Sequence, residues 1–189
     1  MNKRLFLANL AAVAEVVTLA ACSTDNKVSD AVEKRHSIDA DVDYAMSQLY
    51  AQVDGSRELV AKARGVLVFP KVVAAGLVIA GSYGEGALLR AGGPSTYYSA
   101  GSASVGLTAG AQSKAVFVLF LTDEALQKFL SSDGWTAGVD AAVTVASAGA
   151  DGSIDTSTAR APVIGFALTN GGLMANLSVE GTKVKKLNF

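Results

Sequence analysis

From Gly65 to its C-terminal end, the chain consists of short β-forming runs separated by glycines and polar turns. Short runs rich in Val, Ile, Leu and Phe, with such separators between them, are typical of an antiparallel sheet. Asn170-Gly171 has the sequence of a two-residue hairpin turn. The predicted strands cover residues 66–69, 72–82, 87–89, 102–111, 115–121, 139–146, 163–169, 173–179 and 183–187.

Three helices are predicted beside these strands. After Ser37, apolar residues recur at spacings of three and four, which predicts a helix with one buried stripe. That stripe consists of Ile38, Val42, Ala45, Met46, Leu49 and Val53. Gly55 ends this helix, a second covers residues 57–63, and a third follows Thr122 as its N-cap. We therefore predict an α+β fold in which N-terminal helices pack on an antiparallel, Gly-rich sheet that is either open or barrel-like.

The first 21 residues have the pattern of an export signal. Lys3 and Arg4 precede an apolar run, residues 5–19, that is shorter than the roughly 20 residues of a membrane-spanning helix. The run ends in Leu19-Ala20-Ala21-Cys22, which resembles a bacterial lipobox. That resemblance implies cleavage between Ala21 and Cys22 and acylation of the Cys22 thiol. The alternative is a buried cysteine near the start of a cytosolic protein.

This pattern divides the chain into a signal peptide (residues 1–21), an acylated N-terminus with a polar tether (22–36) and a folded domain (37–189). Each buried methylene contributes about 0.8 kcal/mol, and stable anchoring needs more than one acyl chain. Two or three chains on Cys22 meet that need. Ser23, directly after the cysteine, resembles the sorting signal of outer-membrane lipoproteins. The predicted location is the outer membrane, at its periplasmic face or at the cell surface.

Composition argues against several kinds of site. Cys22 and His36 are the only cysteine and histidine, too few for a Cys/His zinc site. A net charge of −1 lacks the basic footprint of a nucleic-acid-binding protein. Residues 81–86 read G-x-x-G-x-G, which differs from the nucleotide-binding motifs and predicts a tight turn.

Five acidic residues of the strand region are separated from one another by turns, so the sequence predicts no paired acid and base among them. These residues are Glu85, Asp140, Asp151, Asp155 and Glu180. We predict no catalytic residue, no metal site and no cofactor.

Basic residues flank the first strands. Lys62, Arg64, Lys71 and Arg90 are candidates for a patch that faces an anionic membrane, where each basic residue contributes about 1 kcal/mol. The alternative is that these residues keep strand ends solvated. A second group, Lys183, Lys185 and Lys186, suits the protection of a terminal edge strand.

A series of motifs resembles the SYLF domain, which occurs in eukaryotic lipid-binding regulators of actin patches and in bacterial lipoproteins. The resemblance covers roughly residues 40–187. Its segments are Ala61-Lys62-Ala63-Arg64-Gly65-Val66-Leu67-Val68-Phe69-Pro70-Lys71, Ala75-Gly76, residues 81–86, Ser104-Val105-Gly106-Leu107-Thr108-Ala109-Gly110-Ala111-Gln112, Leu119-Phe120-Leu121-Thr122-Asp123-Glu124-Ala125-Leu126, residues 139–149 and residues 172–181.

The resemblance implies binding of phospholipid or phosphoinositide without a known catalytic mechanism. In eukaryotic members this role is associated with an N-terminal amphipathic segment and basic residues, which correspond here to residues 38–53 and to Lys62, Arg64 and Lys71. Residues 38–54 contain Asp39, Asp41, Asp43 and Asp54 but no Lys or Arg, which favours a core-facing helix.

Three functions are therefore compared. The first is an envelope lipoprotein whose domain binds phospholipid or lies on the membrane. The second is a scaffold that binds an envelope protein, with Cys22 providing all membrane affinity. The third is an enzyme that uses Asp or Glu, which predicts carboxylates converging in a concave site.

Overall fold

A computed structural model of the protein describes residues 3–76, 79–105, 110–146, 160–169, 172–174 and 179–189. The chain divides into two compact units. The first contains residues 1–37 and Phe189, and the second contains residues 38–188. Helix α1 (Lys3–Gln52) includes residues of both units.

Within the first unit, α1 is continuous through the segment that we predicted to be a tether. The helix begins at Lys3 and not after Ser37. Residues 22–37 contain neither glycine nor proline, so no helix-breaking residue separates them from the stripe that follows. The Arg35 guanidinium donates a hydrogen bond of 3.1 Å to the Phe189 carbonyl and lies 5.6 Å from its ring centroid. No helix in the described residues has the length and apolarity needed to cross a membrane.

In the second unit, the predicted helical stripe is buried from Ile38 to Val53, as expected for a core-facing helix. Helix α1 ends before Gly55, whose φ of 78° favours glycine, and α2 (Ser56–Lys62) follows at once. The Ser56 hydroxyl donates to the Leu49 carbonyl at 3.3 Å. The end of α1 and the start of α2 are therefore held together.

The described residues of the second unit form a nine-stranded sheet with the order β5-β9-β3-β2-β1-β4-β7-β6 and with β8 paired to β7. The sheet is strongly curled into a half-barrel, and the fold is α+β, as predicted. It is mixed because β6 runs parallel to β7. The strands are β1 (Gly65–Gly76), β2 (Ile79–Leu89), β3 (Thr96–Val105), β4 (Gly110–Phe120), β5 (Trp135–Thr136), β6 (Thr144–Val145), β7 (Val163–Thr169), β8 (Gly172–Leu173) and β9 (Lys183–Lys186), with α3 (Asp123–Leu130) between β4 and β5.

Strand β1 continues through Pro70, where we predicted its end. The pairings of β1 with β2 and with β4 both shift by one residue near Pro70, so the extra residue belongs to β1. Proline has no N–H to donate to a sheet, and a β-bulge is one of the few sheet positions that accept it. The bulge lets Phe69 and Val72, three residues apart, lie in the same hydrophobic cluster.

The predicted turn at residues 81–86 is wrong, because these residues form the middle of β2. Their glycines allow close approach to the bulge instead. A Cβ atom on Gly86 would lie 1.9 Å from the Val68 carbonyl oxygen, and one on Gly84 would lie 2.9 Å from the Lys71 oxygen. Both positions must lack a side chain for β2 to pair with β1 here.

Other strand predictions are correct only in part. Strands β7 and β9 match their predicted ranges closely. Of the predicted strand 102–111, residues 102–105 belong to β3 and residues 110–111 to β4, while residues 106–109 lie outside the described residues. Residues 139–146 contain only the short β6 and an isolated bridge at Ala141. The first half of β3 and all of β5 were not predicted. The predicted hairpin turn at Asn170-Gly171 and most of the predicted strand 173–179 lie outside the described residues.

Each face of the sheet has its own core. On the side that we call the helix face, α1 and α2 cover residues such as Val66, Val68 and Phe117. On the opposite side, the concave face, the curled sheet and α3 enclose a second cluster that includes Leu67, Phe69, Phe120 and Trp135, among others. The alternation of side chains along each strand therefore separates two apolar layers.

Candidate functional site

The concave face contains an apolar cavity of about 280 Å³. Strands β1 to β5 and β9 contribute to its wall, and the carboxylate of the exposed Glu180 is one of its few polar groups. Its described lining residues are Phe69, Val72, Ala74, Ala80, Gly81, Ser82, Ala100, Ser102, Ala103, Lys114, Val116, Val118, Trp135, Ala137, Val143, Val179, Glu180, Thr182 and Val184. This cavity is the candidate functional site.

Small side chains on neighbouring strands create the space. Strand β2 contributes Ala80 and Ser82, and β3 contributes Ala100 and Ser102. The two serine hydroxyls are 2.7 Å apart and hydrogen bond to each other, so they satisfy part of their own polarity. The side chains of this wall are short and the wall is largely apolar, which suits the alkyl part of a ligand.

Aromatic side chains fill the space beside the cavity. The Phe129 ring lies 4.8 Å from Phe120, 5.0 Å from Tyr98 and 5.6 Å from Trp135, measured between centroids. Phe129 is placed by α3, whose first turn is capped by the Thr122 hydroxyl as predicted. Trp135 belongs to both this cluster and the cavity wall. The chain has one tryptophan, so its fluorescence reports on the cavity.

Lys114 is the cationic side chain of the described cavity wall. It lies on β4 two and four residues before Val116 and Val118, so all three side chains point to the concave face. Burial lowers the pKa of the Lys114 ammonium from its ordinary value, because an apolar environment disfavours the charged form. No hydrogen bond or ion pair joins this ammonium to any described residue.

The predicted basic residues do not form a single patch. Arg64 and Arg90 lie at the same end of the sheet, because the pairing of Val66 with Leu89 places Arg90 opposite the start of β1. Lys62 is two residues before Arg64 and is exposed. Lys71 is seven residues further along, roughly 20 Å away along the strand, and it lies directly opposite Glu85.

The side chains of Arg64 and Arg90 differ in their interactions. The Arg64 side chain forms an exposed ion pair of 3.4 Å with Asp123. The Arg90 Nε atom is buried and lacks a hydrogen-bond partner among the described residues. Burial raises the pKa of the nearby Tyr98 hydroxyl, and the positive charge of Arg90 opposes that rise.

The described acidic residues show no convergence. Asp140 accepts a hydrogen bond of 2.6 Å from the Thr136 amide and so supports a turn. No group of three potential metal ligands occurs in the described part of the chain. Asp151 and Asp155 lie outside it.

Our sequence reasoning did not single out Lys114 or Trp135. The sequence contains a signal that points to Lys114, because Lys114 is the only charged residue between Arg90 and Asp123. A lone lysine in a run of strand residues indicates a half-buried cation. Its position on the concave face depends on pairing between strands, which the sequence pattern did not specify.

Comparison with known families adds one finding. Residues 101–188 match a family model described as Ysc84, Las17-binding protein actin regulator. The matched segment extends from β3 to the end of β9 and includes Lys114, Trp135 and Glu180. No curated protein matches the chain.

Proposed function

Because residues 101–188 match the Ysc84 family model, we propose that the chain contains a domain of this SYLF family and is a lipid-binding protein held at the bacterial outer membrane by acylated Cys22. The family is one of lipid- or protein-binding scaffolds. The observation that supports lipid binding most directly is the apolar cavity on the concave face. The lipobox-like sequence ending at Cys22 supports the anchor and the periplasmic location.

Lipid contact through the α1 stripe is not part of this proposal. Ile38, Val42 and Leu49 are buried against the sheet and are at most 5% exposed. Exposing them would remove apolar surface from the core, at a cost of about 25 cal/mol per Å². The amphipathic helix therefore has a packing role, and the domain must contact lipid elsewhere.

The membrane-facing surface that we propose is the end of the sheet where Lys62, Arg64 and Arg90 lie. If each contributes about 1 kcal/mol near an anionic bilayer, their loss weakens binding by about 3 kcal/mol, or roughly 100-fold. Lys71 is excluded from this surface by its distance and by Glu85 opposite it. Lys71 was the fourth candidate that the sequence predicted.

Vesicle co-sedimentation of residues 23–189, which lack Cys22, tests lipid binding by the domain. We expect binding to vesicles containing phosphatidylglycerol and a roughly 100-fold loss for a variant with Lys62, Arg64 and Arg90 all changed to Gln. The matched control changes Lys183, Lys185 and Lys186 to Gln and should bind normally. Absence of binding to any phospholipid vesicle would contradict the lipid-binding proposal.

The anchor has a separate test. Labelled palmitate should be incorporated into the protein in bacterial cells and should be absent from a Cys22→Ser variant. Fractionation should place the labelled protein in the outer membrane. Unlabelled protein with its leader intact in the cytosol would contradict the anchor and the location together.

A protein-binding scaffold is the second candidate. Val73 and Tyr83 are cross-strand partners, and they are 40% and 54% exposed. Such an exposed apolar pair supports contact with another protein. If this role is correct, changing both residues to Ser should abolish capture of an envelope protein while vesicle binding is unchanged.

A further inference from the structure

The volume of the cavity limits what can bind in it. A dry apolar cavity of about 150 Å³ accommodates benzene, which has six carbons. On that scale, the 280 Å³ available here accommodates one alkyl segment of roughly eleven carbons. It is smaller than the 300 Å³ at which pockets for drug-sized ligands begin, and a whole diacyl lipid would not fit.

The charged side chains of the cavity wall indicate where the polar end of a ligand would bind. Lys114 lies on β4 opposite Val72, and no described carboxylate is paired with its ammonium. Glu180 precedes β9, and in the order of the sheet β9 is separated from β4 by three strands. An anionic group beside Lys114 would gain a charge-assisted hydrogen bond that the free protein lacks.

We propose that the cavity binds one linear alkyl chain that ends in an anionic group, with the carboxylate or phosphate of that group paired to Lys114. This inference rests on the proposed lipid-binding function and specifies the ligand class of that site. The alkyl part lies against the alanines of β2 and β3 and the ring of Trp135. A fatty acid and a monoacyl phosphate share this chemistry.

Water is a poorer occupant of the same space. A buried water molecule needs two to four polar partners. Ser82 and Ser102 already hydrogen bond to each other, and most other described lining residues are apolar. An alkyl chain replaces these few interactions with apolar contact along the length of the wall.

Titration of the purified full-length protein with dodecanoate, dodecyl phosphate and dodecanol, each below its micellar concentration, tests the proposal. Trp135 fluorescence is the readout, because the Trp135 ring is part of the cavity wall. We expect a saturable fluorescence change with one ligand per protein for both anions. Dodecanol should bind at least about tenfold more weakly. The relative response to carboxylate and phosphate distinguishes the two ligand sources.

Four variants separate the effect of charge from the effect of space. Lys114→Met should weaken binding of both anions by about tenfold while leaving dodecanol unaffected. Glu180→Gln removes the opposite charge and should not weaken the anions, and Lys71→Met removes a lysine from the helix face and should have no effect. Ala74→Phe places a ring in the cavity and should weaken all three ligands.

The outcomes are distinct. Equal binding of dodecanoate and dodecanol, unchanged in Lys114→Met, would overturn the anionic part of the proposal. No change in Trp135 fluorescence with any ligand would overturn the cavity as an alkyl site. If phosphatidylglycerol vesicles still bind residues 23–189 in that case, the lipid-binding function stands and only this inference fails.

Discussion

The closest approach between β1 and β2 provides a sharp test of the fold. A methyl group on Gly86 would lie 1.9 Å from the Val68 carbonyl oxygen and 2.8 Å from its carbonyl carbon. The oxygen would have to retreat to at least 3.0 Å, the shortest distance that real Cβ atoms tolerate. Because the obstacle is backbone, no side-chain rotation can relieve it. Gly86→Ala must therefore separate the two strands beside the bulge.

The magnitude follows from overpacking. Inserting a methyl group into a packed interior costs about 1–3 kcal/mol, and a backbone obstacle places this variant at the upper end, about 3 kcal/mol. For a domain of this size, that loss lowers Tm by roughly 6–12 °C. Gly84→Ala should cost less, since its contacts with the Lys71 oxygen and Val72 Cγ2 are both 2.9 Å.

Gly81→Ala is the matched control in the same strand. A Cβ atom there meets nothing within 4 Å, and the backbone is not in the left-handed region. Its free energy of unfolding should stay within about 0.5 kcal/mol of wild type. Urea unfolding followed by Trp135 fluorescence measures all three variants. Equal stability of Gly86→Ala and Gly81→Ala would refute the close approach of β1 and β2.

Three further predictions concern single side-chain groups. Tyr97→Phe removes the hydrogen bond of 2.8 Å to Asp39 and should lower the free energy of unfolding by about 1 kcal/mol in urea titration. Thr122→Ala should cost about 1 kcal/mol in the same assay, whereas Thr122→Ser keeps the helix cap and should cost little. The depressed pKa of Lys114 means that the unfolded chain binds more protons than the folded chain just below pH 10.5. As the pH rises toward 10.5, the stability of wild type should therefore rise relative to Lys114→Met; a constant difference would contradict burial of this lysine.

Local patterns predicted the buried part of α1, together with α2 and α3. The buried stripe from Ile38 to Val53 follows directly from helical spacing, and Thr122 as N-cap follows from its place before Asp123 and Glu124. Both features depend on residues close in sequence.

The structural role of the glycines in β2 could not be predicted from neighbouring residues in the same way. Gly84 and Gly86 have the composition of a turn, yet their function is set by the bulge in β1, some fifteen residues earlier in the chain. The cavity was unpredicted for the same reason. It exists because small residues of β2 and β3 meet Lys114 of β4, and strand order is a property of the whole sheet.

The bulge at Pro70 also sets the direction of every side chain that follows it in β1. Before it, odd-numbered residues such as Leu67 and Phe69 face inward, and after it even-numbered residues such as Val72 do so. Deleting Pro70 would restore a uniform alternation. Lys71 would then follow Phe69 directly, so Lys71 would still lie on the side opposite Phe69 and Val72 would still face the alkyl-lined hollow; one residue fewer would remove the bulge without inverting either half of the strand.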